Sequence, residues 1–182
     1  GIKTQGSSLD FDWNSAVAFF DFKNLMKSNV DFAFSYAHTK VESRGFIEQN
    51  TNINAASSAL GNAIHAGHGI LTNQSADKKE GDAYLFTLKY RAPWNHHVGA
   101  EFFHGTKYLQ LFEQNSDNLT GLYMTRGNAY HAWYTVPFAQ EALRLRVGYA
   151  LQNHDYSKGY YGPVSKSDLK ETTIYSSLRF DF

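Results

Sequence analysis

The sequence contains no cysteine, no charge excess and no long apolar run, and each absence excludes a class of protein. Without Cys among its 182 residues, it can form no disulfide, c-type haem attachment, cysteine-ligated cluster or thiol nucleophile. The longest apolar stretch, Ala16 to Phe20, is far below the roughly 18 residues of a membrane helix. The 17 Lys and Arg equal the 17 Asp and Glu, so there is no basic excess to attract nucleic acid. We expect no nucleic-acid partner, and no motif implies a cofactor.

Aromatic residues, by contrast, are plentiful. The chain has 14 Phe, 12 Tyr and 3 Trp, together 16% of its residues, yet its mean hydropathy is −0.46. Polar residues must therefore be spread regularly among the apolar ones. That combination is typical of a sheet with one apolar face, and the length fits one domain.

Apolar and polar residues alternate with a period of two in seven segments, as in strands that face lipid on one side and a lumen on the other. The segments lie at 9–22, 30–37, 83–91, 98–105, 130–138, 143–152 and 174–182. Several approach the about 9–11 residues that a tilted strand needs to cross hydrocarbon. We predict a membrane face made of Phe11, Phe19, Phe32, Phe34, Phe86, Leu88, Phe102, Tyr134, Val136, Leu145, Val147, Leu178 and Phe180.

The connections between these segments alternate in length. Short ones lie around Lys23, Pro93 and Glu141, and long ones at 45–81, 113–121 and 159–171. Outer-membrane barrels have short periplasmic turns and longer outer loops. We therefore predict an all-β fold, an antiparallel transmembrane up-and-down β-barrel over residues 1–182, with 45–81 as a long extracellular loop.

Seven crossings from a periplasmic C-terminus would place Gly1 outside the cell, whereas single-chain barrels normally have an even number of strands. The sequence is therefore expected to be the C-terminal part of a larger barrel, unless one strand has been missed. Phe182 and Phe180 close the last alternating segment. They resemble the C-terminal signature that the barrel-assembly machinery recognises, and an ordinary edge strand is the alternative.

Charged residues on the polar sides of the segments are the candidates for lining a lumen. They are Asp10, Asp12, Asp31, Lys89, Arg91, Glu101, Lys107, His131, Arg144, Arg146, Arg179 and Asp181. They would either filter solutes by charge or pair within a filled interior. Because Asp residues dominate the first two segments and Lys and Arg the later ones, we expect the two signs of charge to be segregated.

The sequence gives little indication of a catalytic or metal-binding site. His131, Ser35 and Asp31 offer the residue types of a hydrolytic site, but no local motif joins them. The pairs His65/His68 and His96/His97 have no further ligand nearby in the sequence. We expect neither an enzyme nor a metal site.

Five stretches carry a family resemblance. They are YLFTLKY (84–90), GAEFFHGTKY (99–108), TRGNAY (125–130), LRVGY (145–149) and NHDY (153–156). In this order they resemble the C-terminal part of a family of uncharacterised bacterial outer-membrane proteins that are often labelled porins. The resemblance covers about Asp82 to Phe182. It implies a β-barrel fold and an outer-membrane location, and it leaves the solute open.

The sequence supports three hypotheses. The first is a porin-like barrel, integral to the outer membrane of a Gram-negative bacterium, that passes small polar solutes by diffusion. The second is a structural sheath around a partner protein, such as an electron-conducting cytochrome complex. The third is a surface receptor or adhesin that acts through residues 45–81. The expected partners are the lipid bilayer, the assembly machinery, and further strands, identical subunits or a periplasmic or extracellular chain.

Overall fold

Seven antiparallel strands in sequential order make up the fold. The computed structural model describes residues 9–46, 78–109, 120–138, 142–157 and 164–180. The strands are β1 (Leu9–Phe22), β2 (Val30–Phe46), β3 (Lys78–Arg91), β4 (His97–Gly105), β5 (Gly127–Phe138), β6 (Leu143–Tyr156) and β7 (Lys166–Phe180). They form one open sheet in which β1 and β7 are the edges. The predicted all-β, up-and-down fold is confirmed, and its closure into a membrane barrel stays a prediction.

Helical structure in the described ranges is limited to short 3-10 turns. They lie at Leu25–Lys27, Pro93–Asn95 and Leu122–Met124, and no helix in those ranges is long and apolar enough to cross a membrane. The first two turns reverse the chain at one end of the sheet, which we call the turn end. The opposite end, where β2, β4 and β6 finish, is the loop end.

Asparagine shapes the connection between β1 and β2. Asn24 and Asn29 have φ angles of 51° and 59°, and Asn tolerates this left-handed region better than most residues. The Asn24 amide donates to Asp31 Oδ1 at 2.8 Å, and the Asn29 amide donates to Asn24 Oδ1 at 3.0 Å. These bonds fix where the chain reverses and hence the register of the hairpin.

The sheet has one apolar and one polar face, because directly paired residues in antiparallel strands lie on the same face. The apolar face is defined by the row Phe20, Phe34, Phe86, Phe102, Tyr130 and Leu151. Neighbouring rings of its five aromatic residues have centroids 4.8–6.3 Å apart. The polar face is defined by the row Ala33, Thr87, Glu101, His131, Ala150 and Thr173.

The face predicted for β1 is wrong. Phe19 pairs with Ser35, and Asp12 pairs with Glu42, so Phe19 lies on the polar face and Asp12 on the opposite one. The reason is that Val17 to Phe20 is apolar in both alternating positions, so a period of two cannot decide the face. The cross-strand pairs of Phe20 with Phe34 and Phe22 with Phe32 decide it instead. The side chain of Phe11 lies outside the described part; the other predicted membrane-face residues lie on the apolar face.

A small hydrophobic core lies on the polar face at the loop end. It consists of Ala83, Phe103, Leu109, Leu122 and Ala129, all at most 4% exposed. Leu109 and Leu122 do not belong to strands: they come from the segments that follow β4 and precede β5. Those segments therefore fold over the polar face rather than away from it.

Candidate functional site

The polar face carries the predicted charged residues and is the candidate site. Along the strands it has three levels. The hydrophobic core fills the loop end, a hydrogen-bonded network crosses the middle, and a cavity lined by cationic side chains opens at the turn end.

At the loop end, polar groups fix the segments that cover the face. The Arg126 side chain is buried, and its Nε donates to Leu109 O at 3.1 Å while Nη1 donates to Ser157 O at 2.8 Å. Thr125 Oγ1 donates to Gln152 Oε1 at 2.9 Å. Because the buried Arg126 guanidinium donates hydrogen bonds to carbonyl groups of two different segments, it holds these segments together over the polar face.

Small residues make the close approach of these segments possible. A Cβ atom on Gly81 would collide with the backbone of Leu109, and one on Gly105 would collide with the carbonyl of Thr125. Glycine at these positions lets the covering segments lie directly on the strands.

The middle level is centred on His131 of β5. Its Nδ1 lies 3.0 Å from Glu101 Oε2, and its Nε2 lies 2.9 Å from the Tyr175 hydroxyl. Thr87 Oγ1 approaches the other oxygen of Glu101 at 3.4 Å. The network links β3, β4, β5 and β7 across the face, and its carboxylate already has two partners.

The turn-end level is a cavity of about 170 Å³, which we call the basic cavity. It is lined by Lys89, His97, Trp133, Thr135, Arg144, Arg146, Ser177 and Arg179. Four of these eight residues are cationic, and none is acidic. Cationic residues therefore outnumber acidic ones in the lining, although Asp31 on β2 is the direct cross-strand partner of Lys89.

Sheet register brings these cations together. Arg144 and Arg146 alternate on β6, Arg179 pairs directly with Arg144, and Ser177 pairs with Arg146. Thr135 pairs with Arg146 from the other side and with His97. Residues from five strands therefore meet at one place, although they are far apart in the sequence.

Trp133 forms a wall of the basic cavity. A Cβ on its pairing partner Gly99 would collide with the indole ring, so the ring lies across the glycine. The ring stacks on His131 at 4.8 Å between centroids, and the Arg146 guanidinium lies 5.7 Å from the indole centroid. Trp133 thus connects the middle network to the cations.

Two acidic residues of the polar face lie on β1 and β2. Asp31 on β2 is 3.2 Å from Arg91 Nη2, and Asp21 on β1 is 2.8 Å from Lys23 Nζ. The hydrogen bond that Lys23 donates to the Asp21 carboxylate raises the pKa of Lys23 above its ordinary value. Glu101 on β4 and Glu171 on β7, which pairs with Gln152, also lie on the polar face, so the expected segregation of the two signs of charge is incomplete.

Most of the predicted lining residues meet on this face. They are Asp31, Lys89, Arg91, Glu101, His131, Arg144, Arg146 and Arg179. Asp12 lies on the apolar-face side of β1 instead. Lys107 is in the turn after β4, where its Nζ lies 4.8 Å from the Tyr108 ring and 5.6 Å from the Tyr156 ring. A hydrogen bond with Tyr108 raises the pKa of Lys107.

Several predicted positions fall outside the described part of the chain. They are the side chain of Asp10, the residues Asp181 and Phe182, and residues 47–77 of the predicted long loop. Phe180 is described: it ends β7 on the apolar face, pairs with Leu143 and is 58% exposed. Its role as an assembly signal stays a prediction.

The sequence reasoning did not identify four uncharged residues of the basic cavity. They are His97, Trp133, Thr135 and Ser177. Trp133 and Thr135 alternate on the polar side of the fifth segment, which was an available signal. In the sequence His97 stands out only beside His96 as a candidate metal ligand, and Ser177 belongs to no motif.

The residues considered for a hydrolytic site lie apart, and of those considered for a metal site His65 and His68 lie outside the described residues. Strand β2, which carries Ser35 and Asp31, is separated from β5 and His131 by two intervening strands, a distance of roughly 14 Å at about 4.8 Å per strand. Within the described residues, no group of three or more His, Cys, Asp or Glu could hold a metal ion. The prediction that the protein is not an enzyme stays a prediction.

Comparison with known proteins gives a family but no function. The family described as "Protein of unknown function (DUF3373)" matches residues 2–177. No curated protein matches the chain, and no solved structure matches it. The expectation of an uncharacterised family is confirmed, whereas its description as outer-membrane porins stays a prediction.

Proposed function

This chain belongs to the DUF3373 family of proteins of unknown function, and we propose that it is a porin-like outer-membrane β-barrel protein. In this proposal small polar solutes diffuse along the polar face, and the apolar face meets lipid. The proposal needs no cofactor and no energy source.

One observation carries the proposal: the apolar side chains are more exposed than the polar ones beside them. On β3, Phe86, Leu88 and Tyr90 are 41%, 50% and 42% exposed, while Thr87 and Lys89 between them are half-buried. A soluble sheet would place its apolar face inward. A continuous exposed apolar face needs a lipid or protein surface against it.

The extent of this face agrees with a bilayer. On β6 the apolar-face positions Leu143, Leu145, Val147, Tyr149 and Leu151 cover a stretch within the about 9–11 residues that a tilted strand uses to cross hydrocarbon. Beyond it, Asn153 pairs with Asn128 and Asn128 with His104. The face therefore becomes polar towards the loop end, as an outer interface requires.

The edges of the sheet require more protein. Within the described residues β1 and β7 have no second neighbouring strand, and unpaired backbone groups are costly in hydrocarbon. A functional pore in this proposal therefore includes strands in addition to these seven, from the same polypeptide or from a second copy.

Planar-bilayer recording of the complete natural protein tests the proposal. We expect discrete conductance steps, and we expect Arg144→Glu with Arg146→Glu to shift the zero-current potential towards cation preference. Lys170→Glu is the control, because Lys170 lies on β7 but on the opposite face, through its pairing with Asn153. Absence of conductance from folded, inserted protein, or an equal shift in the control, would contradict the pore.

A sheath around a partner protein is the second candidate, and a specific observation favours it. Val17 and Phe19 on the polar face of β1 are 67% and 61% exposed, and a water-filled lumen does not favour such side chains. In a sheath they would pack against an enclosed polypeptide. Phe19→Ser should then dissociate a complex extracted in mild detergent without reducing the folded yield of the barrel. The receptor or adhesin hypothesis depends on residues 47–77 and stays a prediction.

A further inference from the structure

We propose that the segments packed on the polar face at the loop end form the constriction at the outer mouth of the pore. These segments are residues 106–109 and 120–126, and we call them the loop-end cover. The inference rests on the proposed function, because a constriction needs solutes that pass it. It makes the cover the element that limits the size of those solutes, and it places Lys107 at the rim.

The loop-end cover extends from β2 to β6. Its two leucines pack on side chains of β3, β4 and β5 in the hydrophobic core. Tyr108 packs against Val41 of β2, and Thr125 Oγ1 donates a hydrogen bond to Gln152 Oε1 of β6 at 2.9 Å. A solute that moves along this part of the polar face would therefore meet packed protein.

The polar face is the enclosed side of the sheet at the loop end. Val41 on β2 is 2% exposed and packs against Val164, which precedes β7. Five strand spacings separate β2 from β7, about 24 Å in a flat sheet, so the two sides of the polar face converge here. The Lys107 Nζ lies 4.8 Å from the Tyr108 ring centroid and 5.6 Å from the centroid of Tyr156 at the end of β6. Lys107 therefore lies where the space over the polar face is narrow.

The height of the loop-end cover follows from the residues beneath it. Ala83 and Phe103 lie under the cover, and they are the chain neighbours of Tyr84 and His104, which pair with each other on the opposite face. His104 also pairs with Asn128, so these residues form the row in which the opposite face becomes polar. In the proposed function this row lies at the outer interface of the membrane. The cover is level with it and therefore lies at the outer mouth.

The loop-end cover is held firmly enough to limit the size of a solute. Arg126 is buried and donates to the carbonyl groups of Leu109 and Ser157. A Cβ atom on Gly81 would collide with Leu109, and one on Gly105 would collide with the Thr125 carbonyl, so the cover lies in direct contact with the strands. Moving it aside would leave buried hydrogen-bonding groups without their partners, which is costly.

Modification of a single cysteine during planar-bilayer recording tests the constriction. The 182 residues contain no cysteine, so Lys107→Cys supplies one thiol at the rim of the complete natural protein, in which any cysteine elsewhere is replaced by serine. A bulky maleimide-polyethylene glycol should react from one side of the bilayer only, because it is too large to pass. We expect it to lower the conductance about twofold or more, since it adds volume where the passage is narrow.

Lys170→Cys is the matched control. Lys170 is an exposed lysine near the loop end, but its pairing with Asn153 places it on the opposite face. The same reagent should react with this cysteine and leave the conductance unchanged. Folding is checked by heat-modifiable migration, and Lys79→Cys replaces Lys107→Cys if that variant does not fold, because the Lys79 Nζ lies 5.4 Å from the same Tyr108 ring centroid.

Exclusion of polyethylene glycols of graded size gives a second measurement, since only those that enter the pore lower its conductance. Arg126→Gln removes the guanidinium that holds the loop-end cover to two carbonyl groups. We expect it to admit larger polyethylene glycols than the natural protein does, whereas Lys170→Gln should not. An unchanged size limit in folded Arg126→Gln would contradict the cover as the constriction.

The outcome is separable from that of the pore. Complete modification of Lys107→Cys without loss of current, in a protein that conducts, would leave the porin and remove the constriction. Equal losses in Lys107→Cys and Lys170→Cys would do the same, because the effect would not depend on the face. Absence of conductance from folded, inserted natural protein would remove the porin and the constriction with it.

Discussion

The two ends of the polar face are built from the same strands and differ completely. At the loop end, Phe103 and Leu122 are 2% and 1% exposed beneath segments that fold back over the sheet. At the turn end, the same face opens into a cavity lined by three arginines and a lysine. One face is thus closed at one end and charged and accessible at the other.

The difference follows from the connections rather than from the strands. The turns around Leu25–Lys27 and Pro93–Asn95 are too short to reach back across the sheet, so neither of them covers the turn end. The longer segment between β4 and β5 supplies Leu109, Leu122 and Arg126, which fill the loop end. Among the described residues, the polar face is covered where the segments of a long connection pack on it.

The largest expected effect on stability comes from removing a side chain of the hydrophobic core at the loop end. Phe103→Ala removes the largest side chain of the loop-end core, and we expect a loss of about 3–5 kcal/mol in the free energy of unfolding, measured by urea unfolding in detergent. Phe102→Ala is the control, because the neighbouring residue lies on the apolar face outside that core. Equal losses for the two variants would mean that the loop end is no better packed than the exposed face.

The second prediction tests the apolar face of the sheet, which extends along both the loop end and the turn end. Phe86→Arg on the apolar face should cost about 2–4 kcal/mol in a lipid bilayer, because it places a cation where we propose hydrocarbon lies. Thr87→Arg adds the same charge to the polar face and should cost much less. If unfolding in lipid vesicles shows the reverse order, the lipid-facing assignment is wrong.

A smaller effect on stability is expected from overpacking the wall of the basic cavity at the turn end. Gly99→Ala would force the Trp133 ring away, and we expect about 1–3 kcal/mol of destabilisation from overpacking. It should also change the Trp133 fluorescence, measured with Trp13 and Trp94 replaced by Phe. Ala100→Val, at the next residue but on the exposed apolar face, should leave that fluorescence unchanged. An unshifted Trp133 emission in Gly99→Ala would contradict the packing of the indole over the glycine.

Much of the fold could be predicted because the alternation of apolar and polar residues along a strand shows which side chains share a face of the sheet. On β3, the alternation of Phe86, Leu88 and Tyr90 with Thr87 and Lys89 leaves one assignment, and the structure agrees with it. On β1 the run Val17 to Phe20 is apolar in every position, so the assignment needed the pairing with β2 and was wrong without it.

The site could be predicted only in part, for a similar reason. Arg144 and Arg146 were identified because they alternate on one strand. Alternation also places Trp133 on the polar side of β5, but its contact with the cavity depends on its cross-strand neighbour Gly99, and the position of Ser177 depends on its neighbour Arg146. Leu109 and Arg126 lie outside any periodic segment, so no sequence signal showed that they cover the loop end.

Local alternation and connection length are sufficient to predict the seven strands of the described residues, their order and the polarity of each face on all of them but β1. The tertiary structure decided the register, the filling of the loop end and the convergence of Lys89, Arg144, Arg146 and Arg179 on one cavity. Those features depend on which residues become cross-strand neighbours, and a shift of one residue in any pairing would change them all.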